Sequence, residues 1–202
     1  MAETVALIDY GAGNLHSVRN ALKAAGADRI EVTAEADRIR AADRIILPGV
    51  GAFGAAMRAL EGRAGLIEAL NEAVIQQGRP FLGVCVGMQL MAETGEEHGL
   101  TRGLSWLPGS VQALEPRSDL KVPHMGWNDV RPTAAHPLIV TGEAYFLHSF
   151  AYAGKGVLAE TDHGGPVVAA IGRDNMAGVQ FHPEKSQRYG LELLRRFLSW
   201  AP

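Results

Sequence analysis

Cys85 is the only cysteine among 202 residues, and its neighbours fit a nucleophile better than a core filler. It follows the apolar run Phe81-Leu82-Gly83-Val84, with Gly83 two residues before it, Gly87 two after, and a helix-like run from Met88. Strand, reactive side chain and helix in direct succession make a sharp elbow, which holds the side chain above the carboxyl edge of a parallel sheet. The two glycines let the backbone bend without a clash. The first helical turn then turns free N–H groups and the positive end of its dipole toward the sulfur, favouring the thiolate that attacks. The competing reading is an inert cysteine in a core strand, and a base elsewhere in the chain decides between them.

Of the seven histidines, His182 has the best setting for that base. It follows the strand-like Gly178-Val179-Gln180-Phe181 and precedes Pro183-Glu184. Pro183 cannot continue a ladder, so the strand stops there. Side chains two apart in extended chain share a side, so Glu184 can accept from the imidazole, fix its tautomer and aim the other nitrogen at the sulfur. His16, His98, His136 and His163 lie near a helix start or in polar and loop contexts, and solvation is expected for them. His124 and His148 have apolar neighbours and more interest. No His-x-x-x-His or Cys-x-x-Cys pair is present, so neither a metal nor a cofactor is called for.

Gly49-Val50-Gly51-Ala52-Phe53-Gly54 matches G-x-G-x-x-G after a strand and before a helix. In a dinucleotide site this motif follows the first strand of the unit, and an acidic residue ends the next strand. Here it follows the third strand candidate, and Glu68 and Glu72 fall in a helical pattern. The preferred reading is a glycine loop beside the Cys85 strand that turns backbone N–H groups toward an oxyanion, with a plain tight turn as the alternative.

These groups need a scaffold that brings residues 49, 85 and 182 together. Strands are expected at Val5–Asp9, Arg29–Thr33, Arg44–Leu47 and Phe81–Val84. Helices are expected around Val18–Ala25, Ala55–Glu61 and Leu66–Gln77. This alternation predicts an open, mostly parallel α/β sheet with helices on both faces. Residues 95–109 read as a loop-rich connection. Strand candidates at Val111–Leu114, Tyr145–His148, Val157–Glu160, Val167–Gly172 and Gly178–Phe181 then predict an antiparallel extension of the sheet, and a last helix spans Gln187–Trp200. No linker or repeat divides the chain, so one domain over residues 1–202 is expected. A net charge of −3 argues against nucleic acid, no apolar run approaches membrane-spanning length, and a lone cysteine fits a reducing compartment. The expectation is a soluble, cytoplasmic protein.

Gly83-Val84-Cys85-Val86-Gly87-Met88-Gln89 and His182-Pro183-Glu184 resemble the triad, or class I, glutamine amidotransferases, whose fold is flavodoxin-like. Asp9-Tyr10-Gly11-Ala12-Gly13-Asn14, the glycine loop, Pro123-His124-Met125-Gly126-Trp127-Asn128 and Phe181 to Ser186 narrow the resemblance. They are similar to the glutaminase subunits of imidazole glycerol phosphate synthases, of histidine biosynthesis. The resemblance implies that Cys85 attacks the side-chain amide of glutamine, with His182 as base and Glu184 as its orienting partner. It implies oxyanion donors at Val86 and in Gly49-Val50-Gly51, the latter from Val50 or Gly51, and substrate contacts at Gln89, His148, Ser149 and Phe150. It also implies a (β/α)8-barrel cyclase subunit as partner in a heterodimer, with Asn14, Trp127 and Lys185 facing it. Other amidotransferase subunits, a non-catalytic module and a cysteine peptide hydrolase are the alternatives. The segments Asp9 to Asn14 and His124 to Asn128 argue against the first, and the intact triad against the second.

Overall fold

A computed structural model describes residues 3–116 and 120–202. The first part alternates β1 (Thr4–Ile8), α1 (Leu15–Ala25), β2 (Arg29–Thr33), α2 (Ala36–Ala41), β3 (Arg44–Gly49), α3 (Phe53–Glu61), α4 (Leu66–Leu70) and β4 (Phe81–Cys85). α2 was not expected from the sequence, because it buries only Ile39 and so shows little apolar periodicity. The expected helix over Leu66–Gln77 is present, but its second half, Asn71–Gln76, is wound as a π-helix.

After β4 comes a single helical turn, α5 (Val86–Gln89), followed directly by β5 (Ala92–Gly95), β6 (Thr101–Arg102) and β7 (Leu107–Ala113). The helix-like run expected from Met88 is therefore much shorter, and the connection expected over 95–109 contains strand. The remaining elements are β8 (His124–Pro132), β9 (Gly142–His148), β10 (Phe150–Gly154), β11 (Val157–Asp162), β12 (Pro166–Arg173), β13 (Met176–Val179) and α6 (Gln187–Ser199).

Nine of these strands form one sheet in the order β2-β1-β3-β4-β13-β12-β11-β8-β9. The first five run parallel, and the rest extend the sheet antiparallel. Every residue of β3 and β4 is buried, so both faces of the sheet centre are covered. The Val111 strand, β7, belongs instead to a second, four-stranded sheet in the order β10-β7-β5-β6. At Ser149 the chain leaves the large sheet, where β9 ends at His148, and enters the small one, where β10 begins at Phe150.

This order positions the site. β4 lies between β3 and β13, all three parallel, so their carboxyl ends emerge side by side. β3 ends in the glycine loop, β4 in Cys85, and β13 leads through Gln180 and Phe181 to His182. Ligands on such sheets bind at that edge. No helix among the described residues is long and apolar enough to cross a membrane.

Candidate active site

Cys85 ends its strand at φ 54° and ψ −113°, a conformation costly for a residue with a side chain. The surrounding packing over-determines it. A Cβ at Gly87 would lie 1.8 Å from the Leu47 carbonyl oxygen, and one at Gly83 would lie 2.7 Å from the Gly87 carbonyl oxygen. Only glycine lets the turn after the nucleophile lie this close to β3 and β4. The sharp bend, rather than a long helix, is what presents the sulfur. The single turn of α5 leaves its early N–H groups, Val86 first, beside Cys85, but supplies little macrodipole.

His182 is buried and donates from Nδ1 to Glu184 Oε1 at 2.9 Å. Contrary to expectation, Glu184 does not reach it along an extended strand. Pro183–Lys185 form a 3-10 turn that brings the carboxylate back to the ring. Ser186 ties this turn to β9, donating to the His182 carbonyl at 2.6 Å and accepting from the Tyr145 N–H at 2.9 Å. Burial pulls the imidazole down, but hydrogen bonds to the Cys85 sulfur and to Glu184 outweigh it and hold His182 up at about 9. At neutral pH it is therefore an imidazolium beside the sulfur. Glu184 Oε2 and Tyr10 Oη, both buried, meet no hydrogen-bond partner among the described residues. The phenol is held above its usual range, first by burial and then by the Cys85 charge.

Cys85 and His182 open into a cavity of ≈ 400 Å³, whose wall includes Val50, Gly51, Val86, Gln89, His148, Ser149 and Phe150. That volume lies in the range of small-molecule sites. Gly49 pairs with Cys85 in the sheet but, unlike Val50 and Gly51, is not among the residues lining the cavity. Lys185, expected at a partner surface, also lines it. Trp127 is half-exposed on β8, while Asn14 caps α1, its side chain accepting from the Ser17 N–H at 3.4 Å.

Three features went unread in the sequence. Glu97 gives the cavity wall a carboxylate, and its Oε2 accepts from the Phe53 N–H at 2.8 Å. Gln180, fully buried, donates to Cys85 Sγ at 3.8 Å; its position two before His182 was the available signal. The third is a histidine pair. His148 donates from Nδ1 to the Phe150 carbonyl at 2.9 Å, so its Nε2 accepts from His124 Nδ1 at 3.0 Å. His124 Nε2 in turn accepts from Asn128 Nδ2 at 3.0 Å. Burial first, with repulsion from neighbouring histidines, depresses His124 to about 4 and His148 to about 3, so both are neutral at pH 7. His163 stacks on His124 at 4.1 Å rather than standing free in solvent.

Fold and site define a class: α/β proteins with cysteine, histidine and glutamate gathered at the carboxyl edge of a parallel sheet. The model of the family "Glutamine amidotransferase class-I" matches residues 6–200. An "Imidazole glycerol phosphate synthase subunit HisH" from Zymomonas mobilis is 57% identical, over 100% of this chain and 98% of its own. The subunit of the same name from Rhodopseudomonas palustris is 48% identical over 98% of this chain and 100% of its own. Among solved structures, a chain of PurLQS from Thermotoga maritima aligns with a TM-score of 0.75 over 98% of this chain and 99% of its own, at 18% identity, which speaks for the fold alone. The chain belongs to the class I glutamine amidotransferases, in the branch of the imidazole glycerol phosphate synthase HisH subunits.

Proposed function

We propose that this chain, acting as one glutamine amidotransferase domain, hydrolyses glutamine and delivers the ammonia to a cyclase subunit of imidazole glycerol phosphate synthase, in cytoplasmic histidine biosynthesis. The observation that carries the reading is the strained Cys85 elbow beside an imidazolium held by Glu184, opening into a cavity of small-molecule size. The Cys85 sulfur attacks the side-chain amide carbon. The oxyanion that forms is met by the Val86 N–H and by a second donor from Val50 or Gly51. Loss of one such donor typically costs about a hundred- to a thousandfold in rate. His182 gives its proton to the departing nitrogen, and ammonia leaves behind a glutamyl thioester. Neutral His182 then takes a proton from water, hydroxide attacks the thioester, and glutamate departs as the sulfur regains its charge. Gln89 and the His148-Ser149-Phe150 corner orient the substrate, and the Glu97 carboxylate suits its α-ammonium.

Met125, Trp127 and Leu147 are apolar and exposed on the β8–β9 hairpin, and Val50 is exposed at the cavity mouth. This supports a partner seated over that mouth, with Lys185 and Asn14 at its margin. We take the partner to be a (β/α)8-barrel cyclase in a one-to-one complex, which consumes the ammonia as it makes imidazole glycerol phosphate and an aminoimidazole carboxamide ribonucleotide. The test is glutamine-dependent ammonia transfer with the cyclase subunit. Cys85→Ala is expected to abolish it with an unchanged circular dichroism spectrum. Persistent glutamine hydrolysis in that variant would refute the nucleophile.

A further inference from the structure

The nucleophile is touched by a second side chain that the mechanism above does not use. Gln180 is wholly buried, and its Nε2 lies 3.8 Å from Cys85 Sγ. Its orientation is not arbitrary. The Phe150 carbonyl can only accept, so Gln89 must turn its amide nitrogen toward it, at 3.0 Å. The same nitrogen donates to Gln180 Oε1 at 3.0 Å. Gln180 is thereby forced to face Oε1 to Gln89 and its own N–H to the sulfur. The Phe150 carbonyl is itself fixed from the other side by His148 Nδ1 at 2.9 Å. Gln89 thus donates both ways, to the Phe150 carbonyl and to Gln180 Oε1, and Gln180 passes its own N–H to the sulfur.

We propose that Gln180 is a further catalytic residue, an amide donor that stabilises the charge on Cys85 Sγ alongside His182. Hydrogen bonds to charged acceptors are stronger than neutral ones, and a donor locked in place before the reaction needs no reorganisation when charge returns to sulfur. Burial makes this role separable from substrate binding. Gln180 is not among the residues lining the cavity, whereas Gln89 is. The inference rests on the assignment of Cys85 as nucleophile.

The test uses two variants and two readouts. Gln180→Met keeps the length of the side chain and removes the donor. Gln180→Glu keeps the acceptor for Gln89 but turns a carboxylate toward the sulfur. Alkylation of Cys85 by iodoacetamide at neutral pH needs no glutamine and no partner. It is expected to slow about tenfold or more in both variants. With the cyclase subunit present, kcat for glutamine hydrolysis is expected to fall by a similar factor in Gln180→Glu, while KM stays within about twofold. A residue that only filled space would change the thermal midpoint and leave alkylation of Gln180→Met as in the parent, whereas the carboxylate of Gln180→Glu slows it in either case. Parent-rate alkylation in folded Gln180→Met overturns the proposal, and if that variant fails to fold, Gln180→Leu decides in its place. A parent chain that alkylates normally yet releases no ammonia from glutamine would instead overturn the proposed function.

Discussion

Glu184→Gln is a small change with a large expected effect on pH dependence. The amide is isosteric with the carboxylate and can still accept from His182 Nδ1, so the ring keeps its tautomer. Glu184 Oε2 has no partner among the described residues, so an amide nitrogen in its position breaks no bond. What disappears is a negative charge hydrogen-bonded to His182 at 2.9 Å. His182 stands at about 9 because its bonds to Cys85 and Glu184 outweigh burial, which acts the other way. An opposite charge at such range shifts a pKa by about 1–3 units, so the variant imidazole is expected near 6–8. His182 must carry a proton to release ammonia, so activity is lost as pH rises through its pKa. A fall of about two units leaves roughly one molecule in thirty protonated at pH 8.5, where the parent keeps its proton in most. The assay is the pH profile of kcat/KM for glutamine hydrolysis in the complex. Its alkaline limb is expected to move down by one to three units. The same proton is linked to folding. The native state holds it between 6.5 and about 9 while the unfolded chain releases it, so this stabilisation is complete below 6.5 and lost as pH rises through 9. The variant should lose less over that window. An alkaline limb still near pH 9 in a folded Glu184→Gln protein would refute the reasoning.

The histidine pair has the opposite linkage. His124 and His148 are held near 4 and 3 in the folded protein against an ordinary 6.5, so the unfolded chain binds more protons between those limits. Their contribution is present above 6.5 and lost as pH falls toward 4. The urea midpoint is expected to drop between pH 7 and pH 5, and to drop less when both are replaced by glutamine. Gly87→Ala would put a methyl carbon 1.8 Å from the Leu47 carbonyl oxygen, a backbone atom that cannot swing aside. Overpacking of this kind costs about 1–3 kcal/mol, occasionally more. The elbow should move with it, so the denaturation midpoint and glutamine hydrolysis are expected to fall together; a folded, fully active alanine variant would count against the packing argument.

How much of this was legible depended on whether the information was local. β1, β3 and β4 were readable because each is a short apolar run closed by turn-forming residues. The elbow was readable because its frame is two glycines around one cysteine, and the structure gives the frame a steric reason at Gly83 and Gly87. β8 was not readable as a strand. His124, Met125, Trp127 and Asn128 mix polar and apolar types, because one face of that strand carries a buried polar chain and the other an exposed apolar patch, the reverse of the usual alternation. The second sheet was hidden for a related reason. β5 and β6 have four and two residues, too few for a period to show, and are held by pairing, β5 with β7 and β6 with β5, rather than by their own pattern.

The same distinction explains the site. His182 and Glu184 are two residues apart, so their partnership could be inferred, although the 3-10 turn that joins them could not. Gln180 to Cys85 and His124 to His148 are long-range contacts, 95 and 24 residues apart in the chain. Each is made by residue types that are usually solvated, and only the sheet order brings them face to face. Burying such groups is tolerated because each donor meets an acceptor, from Asn128 through the two histidines to the Phe150 carbonyl, and from there through Gln89 and Gln180 to the sulfur. Removing a member from the middle of such a network leaves a buried donor or acceptor beside it without its partner. Substitutions at Gln89 or His148 should therefore reach the nucleophile's alkylation rate as well as the binding of glutamine.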